Sequence, residues 1–115
     1  MEVAAEEFEQ LVAEALDTLP APLTAFMDNV VVLIEAEAPG HDPGLLGRYD
    51  GIPLTERDST YTFVLPDRIL IFRGPLARMC RDRDELVDEV RITVVHEIAH
   101  HFGIDDAQLH AWGWG

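Results

Sequence analysis

The chain has no lysine, a single cysteine, and no arginine before Arg48. Each shortage excludes something. Cys80 alone cannot close an internal disulfide, so the stapled architecture of small secreted domains is ruled out. Residues 1–47 carry ten acids and no Lys or Arg, and all eight cations of the chain are arginines in the remainder, for a net charge of −14. A surface of that sign repels phosphate backbones and anionic lipid heads, so neither nucleic acid nor membrane is expected as a partner. A basic peptide or protein is electrostatically easier. No apolar run approaches the roughly 18 residues of a membrane span. The opening MEVAAEEFEQ lacks the basic start and apolar stretch of a secretory leader, which gives a cytoplasmic location as the expectation. No Glu follows Glu97 and no Met follows Met79, and both absences bear on the chemistry below.

At 115 residues with 48% apolar and 26% charged side chains, the expectation is one soluble domain, residues 1–115, around one core. Phe8, Leu11, Val12, Ala15, Leu16 and Leu19 recur at helical spacing and predict an amphipathic helix from about Val3 to Leu19, ended by Pro20 and Pro22 and packed on a sheet. A further turn of helix is expected within Pro22 to Asp28. Val30-Val31-Val32-Leu33-Ile34 reads as a strand covered on both faces, hence central. From Ala36 to Pro53, seven Pro and Gly residues forbid a long regular element. This loop is a candidate cleft rim, with His41, Arg48 and Tyr49 as its polar reach. The alternation from Thr60 to Leu65, the Pro66-Asp67 turn and Ile69 to Phe72 together predict a β-hairpin. Leu76 to Cys80 suggests a short helix. Asp82 or Asp84 can then cap a long helix to about Phe102, with Glu85 reinforcing the start and Leu86, Val90, Val94 and Ile98 as its buried stripe. The tail Trp112-Gly113-Trp114-Gly115 is expected to pack at the C-terminus.

That long helix contains His96-Glu97-Ile98-Ala99-His100. Residues i and i+4 share a helix face, so both imidazoles can reach one divalent cation, with Glu97 beside it. This is the HExxH pattern, in which two His bind zinc and the Glu takes a proton from water. In a chain with five His and eleven Glu the string arises by accident roughly two times in a hundred. Gly103, seven residues after His96, lowers that to about one in several hundred. Glycine also has a physical task there, since it ends a helix in the left-handed conformation without steric cost. The chain can then turn back and let Asp106 swing toward the same cation as a third ligand. His110 is the rival, with Asp106 then its hydrogen-bond partner. His101 sits about 100° around the helix from His100 and cannot point at the same ion, so it is expected either to support the ligands from behind or to pack.

The run from His96 to Asp106, HExxHxxGxxD, is similar to the metzincin signature, whose residue ten after the first His is a third ligand. Metzincins place a methionine turn after the motif, which cannot occur in that order here. More closely, HEIAHHFGIDDAQL, with LLGRYDGIPLTER and PDRILIFRGPL upstream, resembles a family of small bacterial zincin-like metallopeptidases over roughly Leu45 to Leu109. The resemblance implies an α+β fold: a minimal zincin-like domain with an N-terminal helix, a small mixed sheet with a hairpin, and an HExxH active-site helix. It implies Zn²⁺ held by His96, His100 and Asp106, with Glu97 as general base in peptide-bond hydrolysis. It also implies a peptide or protein substrate lying along a sheet edge, here an edge of the hairpin.

Other readings are narrower. A Glu third ligand from a downstream helix is excluded because no Glu follows Glu97. A deformylase would want Asp where Ala99 stands and a ligand cysteine in its own motif, whereas Cys80 lies in RMCRD. The small metal-dependent ribonucleases with a related motif lack the Glu. The surviving alternative to a peptidase is a non-catalytic metal-binding or protein-interaction module that keeps the site without turnover. Its support is that no oxyanion stabiliser stands out, with Tyr49, Tyr61 and His110 the candidates.

Overall fold

The computed structural model describes residues 1–42, 44–51 and 66–114, and within them the long HExxH helix is the element that most others touch. The chain runs α1 (Ala5–Asp17), α2 (Ala21–Ala25), β1 (Val30–Glu35), a 3-10 turn (Pro39–His41), β2 (Gly47–Asp50), β3 (Asp67–Phe72), α3 (Arg73–Met79), α4 (Arg83–Phe102) and α5 (Asp106–Ala111). The fold is α+β, and its three described strands form a mixed sheet in the order β1-β3-β2. β1 lies parallel to β3, and β2 antiparallel to it.

α4 is a helix against local preference. Seven β-branched residues fall between Val87 and Ile98, together costing on the order of 3 kcal/mol relative to better helix formers. Packing reverses the balance. Leu86, Val90, Val94 and Ile98 are wholly buried, as their spacing predicts, and each contributes about 1.5–3 kcal/mol on burial. The start is capped by Asp82, whose Oδ1 accepts the Glu85 amide at 2.8 Å. Glu85 reaches back one residue further than a capping box requires, accepting from the Arg81 amide at 3.3 Å. Gly103 ends the helix at φ 68°, and the Ile104 amide returns to the Ala99 carbonyl.

One expectation is corrected. Among the described strands β1 is not central. Within this set it is paired on one side only, and Val31 and Leu33 are each 40% exposed. Among the described strands the centre belongs to β3, where Ile69 to Phe72 are all buried. An aliphatic run says that both faces of a strand tolerate apolar contact, and it does not rank the strand within the sheet. Ile69 and Ile71 join the main core, while Leu70 and Phe72 meet Ala38 and Leu45 in a small second cluster. α1 packs closely on α4, and its Phe8, Leu11 and Ala15 share one core cluster with Ile69 and Ile71 of β3. α4 touches β2 and β3, while Val30, Val32 and Ile34 of β1 pack against the same cluster.

The Pro- and Gly-rich loop contains an element that periodicity could not detect, the four-residue β2. Its start depends on Gly47. A Cβ at that position would lie 2.6 Å from Thr93 Cγ2 and 3.0 Å from the Leu70 carbonyl oxygen. Gly47→Ala is therefore expected to lower stability by about 1–3 kcal/mol through overpacking. An unchanged denaturation midpoint in urea would contradict this close approach. The loop is held at its other end by a bidentate pair, Arg78 to Glu37 at 2.8 and 2.9 Å. The Arg78 hydrogen bonds hold the Glu37 carboxyl below its ordinary range.

The strand expected from Thr60 to Leu65, and with it the first half of the hairpin, lies outside the described residues, as do Tyr61 and Gly115. Its second half is β3, which is flanked by β1 and β2, so neither edge of β3 is open to a substrate. No helix among the described residues is long and apolar enough to cross a membrane.

Candidate metal centre

α4 presents Ile92, His96 and His100 one turn apart along one exposed face, because the stripe from Leu86 to Ile98 fixes which side is buried. The His96 and His100 rings lie parallel within 8°, with centroids 6.4 Å apart. α5 faces them. Its N-cap is Asp105, whose Oδ1 accepts the Gln108 amide at 2.8 Å. Asp106 and His110 are likewise one turn apart on α5. His96, His100, Asp106 and His110 all line one open cavity of about 500 Å³, floored by Val95, Ala99 and Leu109. Asp105 does not line it.

Two imidazoles on one helix opposite a carboxylate and a third imidazole make a nitrogen and oxygen donor set of the kind that zinc takes. The donor chemistry fits. No three His, Cys, Asp or Glu side chains among the described residues are drawn together closely enough to hold an ion as they stand. The thiol is no part of this chemistry. Cys80 is buried at the C-terminal end of α3, and burial first, then the carboxylates of Glu85 and Glu89, pushes its pKa up to about 11. It stays a neutral thiol at pH 7, unlike a ligand cysteine.

Glu97 is half-buried and opens on a different space. It lines a groove of about 300 Å³ between α4 and residues 44–47, which meets the main cavity at His96 and Ile92. The loop is thus a wall of the cleft, but through Leu45, Leu46 and Gly47. His41 and Arg48, expected as its polar reach, line neither space. Tyr49 is likewise elsewhere. Its hydroxyl donates to Asp67 Oδ2 at 2.7 Å, and its ring stacks on His101 with centroids 3.8 Å apart. That removes Tyr49 as an oxyanion donor in this arrangement and gives His101 the packing role, one of the two expected from its helix angle. Phe102, Phe26 and Trp112 continue the aromatic contacts from Tyr49. Trp114 is half-buried against the core while also bordering the main cavity.

Motif reading missed the groove, with Ile92, Thr93 and Glu89 on its helical wall. A signal existed. Ile92 is four residues before His96, and Glu89 and Thr93 are eight and four before Glu97, so helical spacing places them on the faces of the motif residues.

No curated protein sequence matches the chain. Among solved structures, a conserved hypothetical protein from Thermo thermophilus is similar, with a TM-score of 0.54 and 23% identity over 87% of this chain and 94% of that one. At that identity the likeness establishes shared fold and no more. The family model of the zincin-like metallopeptidases matches residues 27–114, from before β1 to the end of α5 and beyond, including every residue of the cavity and the groove. The chain belongs to the zincin-like metallopeptidase family.

Proposed function

We propose that the chain is a cytoplasmic zinc-dependent peptidase in which His96, His100 and Asp106 hold the metal and Glu97 is the general base. The observation that carries this reading is the arrangement of two adjoining spaces. His96, His100 and Asp106 line one cavity, Glu97 lines the groove beside it, and His96 borders both. When bound, zinc supplies Lewis acidity toward water and the scissile carbonyl. Glu97 accepts a proton from water at its carboxylate and passes it to the leaving amine as the C–N bond breaks. Its half-buried position limits competing solvent, and the close approach of Gly47 to Thr93 keeps the groove wall against the helix. His110 borders the cavity and is the remaining described candidate for stabilising the oxyanion.

The substrate in this reading is a short or flexible peptide, which can enter the open cavity and the groove beside it in extended form. The purified chain should cleave an unstructured protein such as reduced, unfolded casein. Chelation should abolish cleavage and one equivalent of zinc should restore it. Stoichiometric zinc binding with no cleavage would instead favour a non-catalytic metal-binding or protein-interaction module.

A further inference from the structure

We propose that the groove between α4 and residues 44–47 is a subsite for a positively charged group of the substrate, with Glu89 as its counter-ion. The inference rests on the peptidase reading of the neighbouring cavity. Glu89, Thr93 and Glu97 follow one another at four-residue intervals along α4 and form the helical wall of the groove. The acids around Glu89 are engaged: Asp82 caps α4, Glu85 accepts from Arg81, and Asp88 pairs with Arg91 at 2.6 Å. Glu89 is half-buried and has no ion-pair partner among the described residues. No arginine lines the groove.

Thr93 supplies an independent sign. Its side chain lines the groove and is only 6% exposed, yet its hydroxyl has no hydrogen-bond partner among the described residues. Buried polar groups are nearly always satisfied, so a hydroxyl without a protein partner at a groove wall is open to water or to an incoming chain. A peptide lying there would pass Thr93 midway between two carboxylates. Glu89 precedes His96 by seven residues, about 10 Å along the helix. An extended peptide advances roughly 3.3 Å per residue, which places the recognised charge up to about three residues from the scissile bond. A lysine or arginine side chain fits this chemistry, and so does the α-amino group of a peptide end.

The test uses the zinc-loaded Glu97→Gln protein, which cannot turn substrate over, and calorimetric binding of nine-residue Gly/Ser/Leu peptides. Lysine is placed at each position in turn and compared with norleucine, with the amino end free or acetylated. One register should bind the lysine peptide about three- to tenfold more tightly at low ionic strength, the range of a partly shielded ion pair. Adding Glu89→Gln should erase the preference, and Glu89→Lys should shift it toward glutamate. A preference that survives acetylation identifies a side chain as the cation, and one that vanishes identifies the α-amino group. Equal binding of lysine and norleucine peptides at every position, discrimination unchanged by Glu89→Gln, or no binding of either peptide would overturn the proposal. Cleavage by the unsubstituted chain is scored separately. Discrimination without cleavage leaves the subsite standing and removes the peptidase reading, whereas cleavage without discrimination does the reverse.

Discussion

Glu97→Gln is expected to reduce peptide hydrolysis by about 10²–10⁴-fold while leaving zinc content unchanged. The substitution keeps side-chain size and one carbonyl oxygen, so the groove wall against Gly47 need not move. What is lost is basicity, because an amide cannot take a proton from water at neutral pH. Metal content separates this role from ligation. Glu97 lines the groove and not the cavity shared by His96, His100 and Asp106, so its removal should cost no donor. Metal analysis by atomic absorption beside a cleavage assay decides the matter. Comparable turnover in the variant would remove the assigned base, and loss of zinc would make Glu97 a ligand. The variant should also unfold at the same denaturant concentration as the parent, since the α4 core stripe does not include residue 97.

The long helix was legible in the sequence because several independent signals agreed on it. The cap at Asp82, the stripe from Leu86 to Ile98 and the stop at Gly103 all appear where spacing put them. That agreement also explains why the pairing of His96 with His100 was readable, since their shared face follows from the stripe. The sheet was less legible. Strand rank depends on contacts far along the chain, and the run from Val30 to Ile34 looks as apolar as β3 while lying beside it. β2 was hidden for another reason. Its four residues, Gly47 to Asp50, carry one apolar ring and no alternation, and what holds them is pairing to β3 and the absence of a Cβ over Thr93. α5 has too few residues for a helical stripe to show, although Asp105 caps it with the same geometry that Asp82 gives α4. The groove escaped for the same reason as β2, because one of its walls is a loop whose position no local pattern encodes.

The second large effect is expected from the third metal ligand. Asp106→Ala should weaken zinc binding by more than 100-fold, while His110→Ala should weaken it by no more than about tenfold. The first figure exceeds the 10–100-fold that loss of an outer hydrogen-bond partner produces, as removal of a direct donor should. Both side chains border the cavity, so position alone does not separate them. Tether length favours Asp106 in this reading. Gly103 turns the chain at φ 68°, Ile104 bonds back to Ala99, and Asp106 is the first residue of α5, only six residues after His100. His110 lies a further turn away, and the shorter tether costs less entropy to close around an ion. Asp105 is withdrawn from the contest because its carboxylate is used on the Gln108 amide. Competition titrations against a chromogenic chelator, run on both variants with secondary structure checked by circular dichroism, give the two affinities directly. A large loss confined to His110→Ala would transfer ligation to the imidazole and leave Asp106 as its hydrogen-bond partner. Losses above 100-fold in both would mean that α5 contributes two donors to the ion.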